Sequence, residues 1–254
     1  MNKFPFALLA LLFALTLTVQ AKDTGDASMG AVSATAAPYY DPATIDFKAL
    51  LPDPPANDSA TTKQEIDFIL QKQATWTPEE KTRIRREVNL NVYLFDTVFG
   101  PWFKEKNLPA TAALFKRVNA TGHPVIDSAK NYWNRPRPFL LNGRVHPPID
   151  LVDYHVHPPF DLRKSPSYPS GHSTVGNLDA AILAVLAPDL KDAILARGRQ
   201  IGDDRVIAGV HFPSDVEAGR TLAQAILTRL MTSPAFQADL AKAKAEIAAA
   251  RSKT

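Results

Sequence analysis

The 254-residue sequence contains no cysteine. That absence excludes disulfides, thiol nucleophiles, iron–sulfur clusters and cysteine-based zinc sites. Beyond its N-terminal leader the chain has no apolar run approaching the roughly 20 residues that a membrane-spanning helix needs. Dense basic stretches are missing too, and 29 lysines and arginines face 26 acidic residues. So even a balance argues against a nucleic-acid partner, while leaving room for a local cationic site that holds a small anion. Strand-like alternation and internal repeats are also lacking, so the chain reads as all-α, a single-domain helical bundle.

What is present begins with a leader. Lys3 precedes an apolar stretch from Phe6 to Val19, and Val19-Gln20-Ala21 has the small-x-small form of a cleavage site. Residues 1–21 read as a secretory signal peptide rather than a retained anchor, because the apolar stretch is short. An exported chain without cysteine suits a bacterial periplasm. Residues 22–47 read as a flexible mature N-terminus, 48–232 as the folded domain and 233–254 as a C-terminal helical tail, largely exposed.

Helical periodicity starts near Ser59. Thr77-Pro78-Glu79-Glu80 has the form of a capping box with proline in the first turn, opening a helix expected to run to about Val98. Leu108–Val118 and His123–Trp133 read as two shorter helices. Eight prolines between residues 136 and 169 forbid regular helix across most of that stretch. Further helices are expected from Gly171, from Pro188 to about Val210, and from Ser214, read as an N-cap with Glu217 completing its box.

Three short segments carry the chemistry. The first is KNYWNRPRP, in which Lys130 precedes Arg137-Pro138 by seven residues. Pro136 makes a continuous helix unsuitable, but a stiff elbow would turn Arg137 back toward Lys130. Taken alone, these are two ordinary surface cations just as readily. The second is YPSGHS. Ser170, Gly171 and His172 fall at an expected helix start, where free N–H groups and the helix dipole favour an anion; by itself this is equally a plain helix cap. The third is DDRVIAGVHFPSD, with Arg205 six residues before His211 and Asp215 four after it. A carboxylate there fixes the imidazole tautomer and leaves the other ring nitrogen nucleophilic, or it merely ties a turn to a helix. Together the segments offer fixed cations for a phosphate, one imidazole to attack phosphorus and another to protonate a leaving oxygen. His155 and His157 alternate in a proline-rich loop without an evident further ligand set, so no metal site is assigned. His123 and His146 read as structural residues.

These segments resemble the signature of the phosphatidic acid phosphatase type 2 superfamily: Lys-x6-Arg-Pro, Pro-Ser-Gly-His and Ser-Arg-x5-His-x3-Asp. Within it the chain is similar to the bacterial class A non-specific acid phosphatases, over about residues 48 to 232. The resemblance implies hydrolysis of small phosphomonoesters without a cofactor. His211 would be the nucleophile, Asp215 its orienting partner and His172 the acid and then the base. Lys130, Arg137, Ser170, Gly171 and Arg205 would bind phosphate. It implies no nucleic-acid partner and no stable membrane insertion, and a homodimer is compatible with helical faces left unburied in one protomer. One departure stands out: the signature serine before Arg205 is Asp204 here, expected to pair with Arg205 or Lys130. Two other readings stay open, a vanadium-dependent haloperoxidase and a phospholigand-binding protein without turnover. The leaving-group pocket is expected within residues 139–168.

Overall fold

Five of the ten α-helices among the described residues open with proline, whose fixed φ and missing N–H suit the first helical position. The computed structural model describes residues 36–148, 153–154 and 160–253. The expected signal peptide, the start of the mature chain, His155 and His157 lie outside these residues. The helices are α1 (Phe47–Leu50), α2 (Ala60–Ala74), α3 (Pro78–Arg86), α4 (Asp96–Phe99), α5 (Pro109–Trp133), α6 (Pro138–Leu141), α7 (Gly171–Leu186), α8 (Lys191–Ile207), α9 (Pro213–Met231) and α10 (Pro234–Arg251). The only strands among the described residues are two-residue pieces, β1 (Asp153–Tyr154) and β2 (Phe160–Asp161), paired antiparallel with Asp153 opposite Asp161. The all-α expectation therefore holds.

Helix α7 is the centre of the bundle. Its Val175, Leu178, Ile182, Leu183 and Leu186 are buried, with α8 and α9 packed along it and α5 and α10 beyond. The approach of α8 requires glycine. A Cβ added at Gly198 would stand 2.4 Å from the Cβ of Ala180 and 2.8 Å from the Gly176 carbonyl oxygen. This close packing holds the ends of α7 and α8, where His172 and Arg205 sit, in fixed relation.

Several boundaries differ from the sequence reading. The helix opened by the Thr77–Glu80 box ends at Arg86 rather than near Val98, because Asn91 caps a fresh start, accepting a hydrogen bond from the Tyr93 amide. The two helices expected before Trp133 are one 25-residue helix that runs through Pro124. An internal proline costs about 3 kcal/mol, and burial of Val118, Val125 and Ile126 around it outweighs that. The Pro188 start is a single 3-10 turn before α8. Phe212, not Ser214, caps α9: Pro213 takes the first helical position, and the third residue, Asp215, accepts the Phe212 amide at 2.8 Å. The last helix is less a tail than a core element. Phe236, Leu240, Ala243 and Ile247 are buried in the main apolar cluster, as is Tyr39 near the other end of the described chain. Glu246 on α10 accepts from the amides of Ala110 and Thr111 at 2.8 Å, capping α5. No described helix is long and apolar enough to cross a membrane.

Candidate active site

Lys130 lies in the last turn of α5 and is buried. Asn134 ends that helix in the left-handed region, at φ 46°. The chain then runs extended through Arg135-Pro136-Arg137, with Arg137 at φ −79°, ψ 158°. This elbow returns Arg137 to Lys130. Both side chains donate to the Pro166 carbonyl, Lys130 through Nζ and Arg137 through Nη2. Arg137 also donates to the carbonyls of Ser165 and Val210, each at 2.8 Å.

Ser170 is the N-cap of α7, its hydroxyl accepting the Ser173 amide. Gly171 and His172 form the first turn behind it. The Ser170 amide donates to the Asp215 carbonyl at 2.9 Å, which ties the start of α7 to the start of α9. His211 sits in the turn between α8 and α9, and Gly209 makes that turn at φ +72°, a conformation L side chains rarely adopt. His211 Nε2 lies 3.1 Å from Arg137 Nη1, and Nδ1 lies 3.3 Å from Asp215 Oδ2. A guanidinium only donates, so Nε2 must carry the lone pair and Nδ1 the proton. The structure thus brings the three segments into one buried cluster.

Electrostatics follow from that crowding. Burial, then the Arg137 charge, pushes the His211 imidazole down to about 3, against the opposing hydrogen bond to Asp215. His172 is likewise held well below the usual histidine range by burial, Arg205 and His211. Burial would raise the Asp215 carboxyl, but the His211 hydrogen bond, the Arg135 charge and the Ser167 hydroxyl outweigh it and hold it at about 2. These shifts favour the neutral form of both imidazoles and the ionised form of Asp215.

Residues outside the signature complete the cluster. Glu87, fully buried just past α3, accepts from Arg205 at 2.9 Å and from Arg197 at 2.6 Å, and its backbone carbonyl lies 3.0 Å from His172 Nε2. Burial pushes its carboxyl up to about 7 against the pull of both arginines. Arg205 Nε is buried without a hydrogen-bond partner, a donor suited to an anion. Ser167 donates to Asp215, and Arg135 pairs with Asp215 and Glu65. Glu65 left a trace in the sequence: it shares the buried face of α2 with Thr62, Ile66 and Ile69, a carboxylate in an apolar stripe. Glu87 and Ser167 left none.

Asp204 corrects an expectation. It pairs with neither Arg205 nor Lys130 but with Arg83 of α3, through two bonds of 2.7 and 2.8 Å. Successive helical residues point about 100° apart, so Arg205 reaches Glu87 and the Ile84 carbonyl while Asp204 meets the Arg83 guanidinium. Among the described residues, no group of three or more His, Asp or Glu side chains is placed to hold a metal.

Comparison with known proteins places the chain in a family. Residues 111–238 match the model of the PAP2 superfamily. The chain is 32% identical to a non-specific acid phosphatase of Salmonella typhimurium, over 84% of this chain and 85% of the relative. It is 32% identical to one of Providencia stuartii, over 80% and 82%, and 39% identical to an acid phosphatase of Zymomonas mobilis, over 57% and 52%. The matched span contains all three signature segments, from Lys130 to Asp215, and on this ground the chain belongs to the PAP2 superfamily, alongside the bacterial non-specific acid phosphatases.

Proposed function

We propose that the protein is an exported acid phosphatase that hydrolyses phosphate monoesters through a phosphohistidine on His211. The observation that carries this reading is the direction of the His211 ring. Its lone pair lies on Nε2, toward Arg137, and its proton on Nδ1, toward Asp215. That is the tautomer a nucleophile needs. The names of the relatives, and leader-like residues 1–21, support the activity and the export.

In the first step the Nε2 lone pair forms a bond to phosphorus and the ester P–O bond breaks. The departing alkoxide takes a proton from His172, and Asp215 stabilises the cationic phosphoimidazole. In the second step His172 takes a proton from water, the resulting hydroxide attacks phosphorus, and the P–N bond pair returns to Nε2. Lys130, Arg137 and Arg205 balance the charge of the non-bridging oxygens, with the Ser170 hydroxyl and the Gly171 amide at the start of α7.

The pH behaviour follows from the neutral His172. The proton for the leaving group must enter with the substrate, carried on the monoanionic ester and passed to His172 once the anion sits beside it. A phosphate monoester loses its second proton near pH 6 (about 6). Productive complexes therefore form on the acid side of neutrality. The test is release of p-nitrophenol from p-nitrophenyl phosphate between pH 4 and 9 with EDTA present, for wild type and His211→Ala. Chelator-resistant, acid-side turnover lost in the variant is expected. Full activity in His211→Ala would overturn the nucleophile assignment.

A further inference from the structure

Arg135 lies outside the three-segment signature, yet it is 3% exposed and its guanidinium joins three parts of the fold. From the elbow after α5, Nη1 donates to Asp215 Oδ1 at 2.7 Å and to Ser214 Oγ at 2.8 Å, both at the start of α9. Nη2 reaches Glu65 Oε2 at 3.2 Å and Thr62 Oγ1 at 3.3 Å on α2. Its flat face covers the Phe212 ring, 3.9 Å from the centroid. Glu65 closes the clamp from the other side, accepting the Ser214 amide at 2.6 Å and the Ser214 hydroxyl at 3.1 Å.

We propose that Arg135, clamped by Glu65, is a positioning residue that sets the orientation and ionisation of Asp215 and, through it, the reactive tautomer of His211. This role rests on the reading of His211 as nucleophile. Oδ2 of Asp215 serves His211, Ser167 and the Phe212 amide, whereas Arg135 is the partner of Oδ1. Asp215 is fully buried. Without Arg135, Oδ1 has no solvent to turn to, and the carboxyl takes up a proton or rotates away from the histidine. The other groups facing the pair act on different atoms. Lys130 and Arg137 face His211 from α5 and the elbow, His172 faces it from α7, and Tyr168 and Ser167 face Asp215 from the segment before α7. Lysine cannot replace the guanidinium here, because one ammonium cannot span α2 and α9 with a planar fork.

The test is steady-state hydrolysis of p-nitrophenyl phosphate across pH by full-length Arg135→Gln, Arg135→Lys and Glu65→Gln, with rapid-quench trapping of phosphohistidine. For Arg135→Gln a fall in kcat of about 10- to 100-fold is expected, the usual effect of losing the partner that orients a functional histidine. KM and inhibition by inorganic phosphate should stay unchanged, because Arg135 does not reach the phosphate-binding cations. The acid limb of the kcat profile should move to higher pH as Asp215 protonates more readily. Arg135→Lys should fall between wild type and Arg135→Gln. A folded Arg135→Gln protein with wild-type kcat and pH profile, or with its loss confined to KM, overturns the proposal. Should Arg135→Gln fail to fold, Glu65→Gln decides: a lower kcat at constant KM supports the role, and an unchanged kcat and profile overturns it. Wild-type protein that turns over without forming phosphohistidine sinks the nucleophile reading and this role with it. Trapped phosphohistidine beside an unaffected Arg135→Gln sinks the positioning role alone.

Discussion

The Asp204–Arg83 pair makes a prediction of asymmetry. Asp204 is 1% exposed and Arg83 is 28% exposed, and two hydrogen bonds join them. Removing the arginine strands a carboxylate in a buried site that also contains Glu87. Breaking a buried pair in that direction costs about 3–5 kcal/mol. Removing the carboxylate instead leaves a guanidinium that already reaches solvent and can be rehydrated, so Asp204→Ser should cost only about 1–2 kcal/mol, the loss of a charged hydrogen bond. A domain of this size loses roughly 2–4 °C of Tm per kcal/mol. Arg83→Ala should therefore melt about 6–20 °C lower, and Asp204→Ser about 2–8 °C lower. The double variant should lie near Asp204→Ser, because no stranded charge remains. Urea unfolding of the four proteins measures all three terms. If Asp204→Ser is as damaging as Arg83→Ala, or the double variant equals the sum of the singles, the burial argument is wrong. Because Asp204 pairs with Arg83 of α3 and not with the proposed phosphate-binding cations, kcat and KM of Asp204→Ser should change little.

Three further outcomes are expected. Glu87→Ala removes both acceptor oxygens, those that take hydrogen bonds from Arg205 and Arg197, and kcat/KM for p-nitrophenyl phosphate should fall by about one to two orders of magnitude, more than in Arg197→Ala, which leaves the Glu87–Arg205 contact in place. Binding of an oxyanion should reverse the suppression of His172: ¹⁵N spectra at pH 6 should show its imidazole neutral without ligand and cationic with phosphate or vanadate, and a ring that stays neutral would refute the proposed acid. Asp179 on α7 is buried, its Oδ1 has no hydrogen-bond partner, and burial raises its carboxyl well above the usual range. A raised folded value means stability is full at low pH and is lost as pH climbs from the unfolded carboxylate range toward the folded one. Asp179→Asn should therefore be more stable than wild type at pH 8 and not at pH 4, as thermal unfolding at the two pH values will show.

How much of this was legible beforehand depended on whether the determining interaction was local. The Thr77–Glu80 capping box lies within four consecutive residues, and the structure forms both of its hydrogen bonds. The elbow at residues 134–138 was legible because proline restricts its own backbone and that of its predecessor. The break expected between Val118 and His123 is absent, since the burial that carries α5 through Pro124 is tertiary and leaves no local mark. Asp204 was a recognisable anomaly, but its partner lies 121 positions away, so local spacing pointed to the wrong cations. Glu87 and Ser167 are ordinary polar residues until the fold buries them among charges. Arg135 stood in plain view beside Arg137, and only the geometry separates their tasks: one faces the His211 lone pair, the other the far oxygen of Asp215.

The cap that Glu246 places on α5 has a consequence for how the chain is made. Helix α5 carries Lys130 near one end, while the amides at its other end donate to Glu246, 135 positions downstream of Thr111. During synthesis from the N-terminus, the signature residues have all emerged before Glu246 exists, yet α5 still lacks its cap and the apolar face of α10. The core then stays incomplete until α10 is available. A nascent chain of this kind remains open to unfolded-state handling until α10 docks, and activity should appear only after that docking rather than progressively during elongation.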